Sequence, residues 1–134
     1  MSLTEDHKKI AEGDDVIFTG FVDHALKNTL LINAIALIMP SFFESLSLIT
    51  LESMLLEIPV IVNKNCEVLY AHVEKSETGK SFVSNREFSQ ALVFYLQQTH
   101  DDLISEGIRA KNYVLNHYSW KTIIDKFNSA ITSL

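Results

Sequence analysis

A chain of 134 residues is the length of one domain, and a net charge of −6 with no offsetting basic cluster argues against a nucleic-acid surface. Hydrophobic residues at 47 % suffice for a filled core, yet no apolar run approaches the ~20 residues of a membrane span, and charged residues follow Met1 too closely for a secretory signal. The single cysteine, Cys66, excludes an internal disulfide and fits a reducing compartment, so the expected location is cytoplasmic.

In chain order, Thr4 to Glu12 reads as a helix tail ended by Gly13, with a turn at Asp14-Asp15. Val16 to Thr19 reads as a short strand with a sharp exit at Gly20. Asp23 suits the N-cap of a helix from His24 to about Asn33. Ala34 to Met39 is apolar at every position, the pattern of a parallel strand covered on both faces. Pro40 stops it, and a polar loop carries Glu44 and three serines. A helix starting near Ser45 to Ser47 follows, with Leu48, Leu51, Leu55 and Leu56 on one side.

Pro59 to Val62 is a second fully apolar strand, and a helix runs from about Glu67 to Lys75. Glu77-Thr78-Gly79 turns into a strand from Lys80 to Val83. Asn85 or Ser84 caps a helix from Arg86 to Gln98, with Phe88, Leu92, Tyr95 and Leu96 on its apolar side. Asp101 or Asp102 starts another to about His117, weakened by Gly107. Ser119 caps the last, Trp120 to Thr132, with Ile123, Ile124, Phe127 and Ile131 at helical spacing. Strands alternating with helices give an α/β fold with a Rossmann-like parallel sheet of about four strands. Residues 1–134 form a single domain on this reading, ending in helices over 101–134.

Ligands of such folds sit where strand ends meet helix N-termini. At that junction Glu44 and Glu52 stand with seven residues between them. The first amides of the helix lack intrahelical partners and attract an anion. Two carboxylates flanking an anion repel it but accept hydrogen bonds from hydroxyl groups on either side. A nucleoside diphosphate sugar has that layout: ribose diol, diphosphate, sugar diol. If the helix began at the serines, Glu52 would lie about two turns in, ~10 Å along it. A competing reading makes Ser41-Phe42-Phe43-Glu44 a capping box, with Glu44 only tying down the helix start.

The stretch resembles the Glu-x7-Glu signature of retaining glycosyltransferases of the GT-B fold, family four. Val16 to Val22, Pro40-Ser41, Pro59-Val60-Ile61, Cys66 to Leu69 with Gly79, and Tyr118-Ser119-Trp120 resemble further segments of that family, in order. The resemblance implies a donor-binding domain of which this chain is the later part, inactive alone. It implies Glu44 as the catalytic residue at the donor sugar hydroxyls. It places the amides of Leu46, Ser47 and Leu48 at the diphosphate or sugar, Glu52 at the ribose diol, and the backbone of Phe21 and Val22 at the nucleobase. No metal and no cofactor beyond the donor is implied. The acceptor, a glycan or a lipid-linked one, would be held by an N-terminal domain, and the full protein could then associate with a membrane. The family usually has glycine where Ser47 and Glu57 stand, so Glu57 is expected to use another helix cap.

Bland readings hold elsewhere. His7, His24, His72, His100 and His117 form no metal-spaced set, and solvated or core roles suit them. His24 stands out only by following the Gly20-Phe21-Val22 loop. Cys66 opens a helix, a place that activates a thiol, but a buried cysteine is simpler. Trp120 with Tyr118 reads as a hydrophobic anchor. A non-catalytic nucleotide-sugar or protein-interaction module is the alternative function. A receiver-like signalling domain fits the size, but its strand ends would need acidic residues where Gly20, Pro40 and Asn63 stand. Finally, Val16–Thr19 is expected beside Ala34–Met39 in the sheet, the alternative being a homodimer through that open edge.

Overall fold

The computed structural model describes residues 15–133. The expected helix tail at Thr4 to Glu12 lies outside them. Helix α1 (His24–Ile32) leads to strand β1 (Leu37–Met39), helix α2 (Leu48–Leu55), strand β2 (Val60–Asn63) and helix α3 (Glu67–Ser76). Strand β3 (Lys80–Phe82) and helices α4 (Asn85–Gln97), α5 (His100–Tyr118) and α6 (Trp120–Thr132) complete the order. The three strands form one parallel sheet in the order β1-β2-β3, with Ile61 facing Ile38 on one side and Lys80 on the other. The Rossmann-like α/β reading therefore holds.

The alternation along β2 sorts the layers. Val60 and Val62 point to a cluster with Leu51 and Met54 of α2, Leu69 of α3, and Ala110, Tyr113 and Val114 of α5. Ile61 points the other way, to Ala91 and Tyr95 of α4. All four residues of β2 are buried, as a central parallel strand requires. Fully burying a side chain such as Met54 contributes about 1.5–3 kcal/mol.

The sheet has three strands rather than four. Among the described residues Val16–Thr19 pairs with nothing and lies outside the sheet, with Ile17 82 % exposed. A strand needs a neighbouring ladder, which local β propensity does not supply. With no neighbour on its outer side among the described residues, β1 is an edge strand there, and Ile38 is exposed, so it is not covered on both faces.

Helix starts follow their caps. Asp23, Ser84 and Ser119 accept from the amides of Leu26, Glu87 and Thr122. The start of α5 is not set by Asp101 or Asp102 alone: Thr99 is the N-cap, in a reciprocal capping box with Asp102. In α2 the buried residues are Thr50, Leu51, Ser53 and Met54, while Leu48 and Leu55 are exposed. Thr50 and Ser53 tolerate burial because their hydroxyls bond Ser47 and the Ile58 carbonyl. Leu96 of α4 is likewise exposed. Tyr118 packs on the core, but Trp120 is 80 % exposed, because extended Ser119 turns α6 away from α5. The apolar stripe of α6, Ile123, Ile124, Phe127 and Ile131, is exposed too.

Glu57 does not find another cap. It takes the left-handed conformation itself, at φ 65°. Its amide donates to the Met54 carbonyl and its carboxylate meets Lys111 Nζ at 2.7 Å. Gly107 of α5 lies against it. A Cβ on Gly107 would come within 2.6 Å of the Glu57 carbonyl oxygen and 2.7 Å of its Cβ. Gly107 thus sets how closely α5 approaches the end of α2.

In an open helix, glycine to alanine gains about 1 kcal/mol. Here Gly107→Ala is expected to destabilise by about 1–3 kcal/mol through overpacking. Urea unfolding checks this, and a variant as stable as the parent would contradict the tight approach.

Candidate functional site

The carboxyl ends of β1 and β2 open onto two loops, 40–47 and 64–66. Between them lies an open cleft of about 590 Å³ lined by Phe42, Phe43, Glu44, Ser45, Asn65, Cys66, Glu67 and Val68. Asn63, the last residue of β2, ties the loops together. Its Nδ2 donates to the Pro40 carbonyl at 3.1 Å and its Oδ1 accepts from the Asn65 amide at 3.0 Å.

The first loop reaches α2 through Ser47, which is buried and left-handed at φ 59°, ψ 71°. Such a conformation costs a non-glycine residue about 1–2 kcal/mol and persists where its surroundings hold it. Ser47 Oγ lies 2.8 Å from Thr50 Oγ1, and its carbonyl accepts from the Thr50 amide at 3.0 Å. The helix therefore begins at Leu48. Ser41 and Glu44 form no capping box, so that reading of Glu44 falls. Glu52 lies about one turn into α2, ~6 Å, not two. No backbone hydrogen bond among the described residues uses the amides of Leu46, Ser47 or Leu48.

The structure places the expected site residues in two groups. Glu44 lines the cleft, half-buried and with no ion-pair partner among the described residues. Leu46, Ser47, Leu48 and Glu52 lie behind it, at and beyond the head of α2. Phe21 is fully exposed and Val22 half-buried, and neither lines the cleft. His24 is exposed.

Glu52 is engaged from α1. Lys27 Nζ meets both its oxygens, at 2.8 and 2.7 Å, with side chains 23 % and 39 % exposed. An exposed pair of this kind contributes about 0–1 kcal/mol, so its weight is in placing charge. Lys27 was not singled out from the sequence, although it is the single Lys or Arg between residues 10 and 63. Glu67 and Asn65 were not singled out from the sequence, although the strand-turn-helix after Val62 is where they sit.

His72 joins α3 to α5 and to the cleft loop at this end. It is buried, with Nδ1 3.0 Å from Tyr113 Oη and Nε2 2.9 Å from the Leu46 carbonyl oxygen. Burial holds its pKa below the usual 6.5, the Leu46 carbonyl opposes that, and Lys75 adds to the lowering. Burial raises the Tyr113 hydroxyl, with Tyr118 adding to it. Cys66, at the N-cap of α3, is buried and free. Among the described residues no group of three His, Cys, Asp or Glu is placed to hold a metal, and no helix is long and apolar enough to cross a membrane.

A family model described as glycosyl transferases group 1 matches residues 2–102. No curated protein and no solved structure matches the chain significantly.

A buried histidine kept neutral makes folding proton-sensitive. Its folded pKa is lowered, so the unfolded chain binds the proton more readily and stability falls as pH drops below about 6.5. His72→Gln, which does not titrate, is expected to flatten the His72 part of that fall, read as melting temperature between about pH 7 and 5. An identical slope in the variant would show that His72 is not the sensitive group.

Proposed function

Because the chain belongs to the glycosyl transferases group 1 family, and glycosyl transfer is that family's chemistry, we propose the donor-binding role for the cleft and the head of α2. The donor is a nucleoside diphosphate sugar, and transfer keeps the anomeric configuration. The observation that carries this is the left-handed Ser47 turn, which sets Glu44 on the cleft side and Glu52 on the helix side of a helix N-terminus.

Each group then has one task. Glu44 accepts hydrogen bonds from sugar hydroxyls at the cleft. The free amides of Leu46, Ser47 and Leu48 face the diphosphate, with the helix dipole adding about 0.3–1 kcal/mol for an anion. That charge grows as the bond to the sugar breaks, so the same amides assist departure. Glu52 accepts from the ribose diol with the lone pairs Lys27 leaves free. Lys27 neutralises it, which removes the repulsion a bare carboxylate would exert on the diphosphate. The backbone of Phe21 and Val22 edges the nucleobase. No metal takes part, and the acceptor, a glycan or a lipid-linked one, is held by other parts of the enzyme. We place the enzyme in the cytoplasm, at a membrane where its acceptor is lipid-linked.

One observation favours a second reading, a binding module without catalysis. The cleft is lined by Glu44 and Glu67 and by no Lys or Arg among the described residues. Neither reading gives sugar transfer by the chain alone; transfer by the enzyme with its acceptor-holding parts, lost in Glu44→Gln on the first reading and absent in the parent on the second, separates them.

Each charge-assisted hydrogen bond contributes about 1.5–3 kcal/mol. Glu52→Ala is therefore expected to weaken nucleoside diphosphate sugar binding about 10- to 100-fold, read by calorimetric titration. Unchanged affinity would remove Glu52 from the site.

A further inference from the structure

Loop 40–46 is held by little of its own packing. Phe42 and Phe43 are exposed, Phe43 at 94 %, and Leu46 is exposed as well. Two side chains hold its carbonyls instead: Asn63 at Pro40, and His72 at Leu46. Asn63 belongs to the strand that ends beneath the loop. His72 comes from α3 and reaches the loop from the core.

We propose that His72 is a positioning residue for the donor site: its Nε2–H fixes the Leu46 carbonyl, and so aims the peptide that enters left-handed Ser47 and the free amides of α2. This rests on reading the head of α2 as the donor site. A carbonyl only accepts, so Nε2 carries the hydrogen. In the neutral ring Nδ1 then accepts from the Tyr113 hydroxyl at 3.0 Å. Having donated, Tyr113 Oη accepts from Tyr118 Oη at 3.4 Å. The chain of bonds runs in one direction, from the end of α5 to the loop. Edge-on packing against Tyr113 and Tyr118, with ring centroids 6.1 and 5.6 Å away, fixes the imidazole plane.

The anchor also accounts for the strained serine. A left-handed non-glycine residue survives where both flanking peptides are held. Thr50 holds Ser47 from the helix side. His72 holds it from the loop side, one residue before it. Without that bond, loop 42–46 could swing about Ser47, carrying Glu44 with it. A structural histidine would affect stability wherever its bonds were lost. A positioning histidine makes one bond count for the loop and the other not.

His72→Gln and His72→Asn separate the two. A glutamine amide reaches about as far as Nε2, so it can still donate to Leu46. An asparagine amide reaches only about as far as Nδ1, so it keeps the Tyr113 side and loses the loop. The purified protein and both variants are compared by amide NMR relaxation over residues 42–48 and by calorimetric titration with nucleoside diphosphate sugars. The Gln variant is expected to keep a rigid loop and a donor affinity close to that of the parent. The Asn variant is expected to show a mobile loop and an affinity lowered about tenfold. A folded Asn variant with a rigid loop, or a Gln variant as mobile as Asn, would overturn the proposal. If Asn does not fold, the Gln variant decides alone, a mobile loop overturning the anchor and a rigid one supporting it. If the parent binds no donor, the donor-site reading fails, while loop mobility still decides whether His72 is the anchor.

Discussion

The left-handed turn at Ser47 is the constraint on which the site depends. Without it the loop after β1 would run straight into α2, and its amides and carboxylates would have no fixed relation. The turn carries a local cost of about 1–2 kcal/mol for a residue with a Cβ. Its surroundings hold it: Thr50 bonds its hydroxyl and its carbonyl, and its side chain is buried. Glu57 closes the same helix in the same conformation, braced by Lys111 and by the flat face of Gly107. Helix α2 is therefore fixed at both ends by left-handed residues that are not glycine. Both are held by contacts that reach α5 or the cleft loops.

Charge is arranged around that helix in an uneven way. Glu52 shares its charge with Lys27, whereas Glu44 faces the cleft with Glu67 nearby and, among the described residues, no cation on the lining. For a group 1 glycosyl transferase this division suits a donor with a neutral sugar at one end and a diphosphate near the helix. On the proposed reading, hydroxyl groups would meet the bare carboxylate, and the anion would meet amides beside a neutralised one. Sheet geometry supplies the placement, because parallel strands end on one side and their following helices begin there.

Much of the fold was legible in the sequence. Apolar runs gave β1 and β2, the turn at Glu77-Thr78-Gly79 gave β3, and Asp23, Ser84 and Ser119 marked helix starts through their side-chain oxygens. Val16–Thr19 was misread because alternation and β propensity say nothing about whether a neighbouring ladder exists. Trp120 and the stripe on α6 were misread for a related reason: periodicity shows that a face is apolar, not that something covers it. Of the site, the spacing of Glu44 and Glu52 was visible, and so was the unusual serine at position 47. The partners were not. The Lys27–Glu52 pair and the His72–Leu46 bond join residues about 25 apart in sequence, and such contacts depend on how layers pack.

The central claim is that the head of α2 and the cleft beside it bind a nucleoside diphosphate sugar. An NMR titration of the protein with a panel of nucleoside diphosphate sugars tests it most directly. The account predicts saturable amide shifts at Glu44, Leu46, Ser47 and Leu48, extending to Glu52, with at least one donor. Shifts confined to other surfaces, or none with any donor, would contradict it.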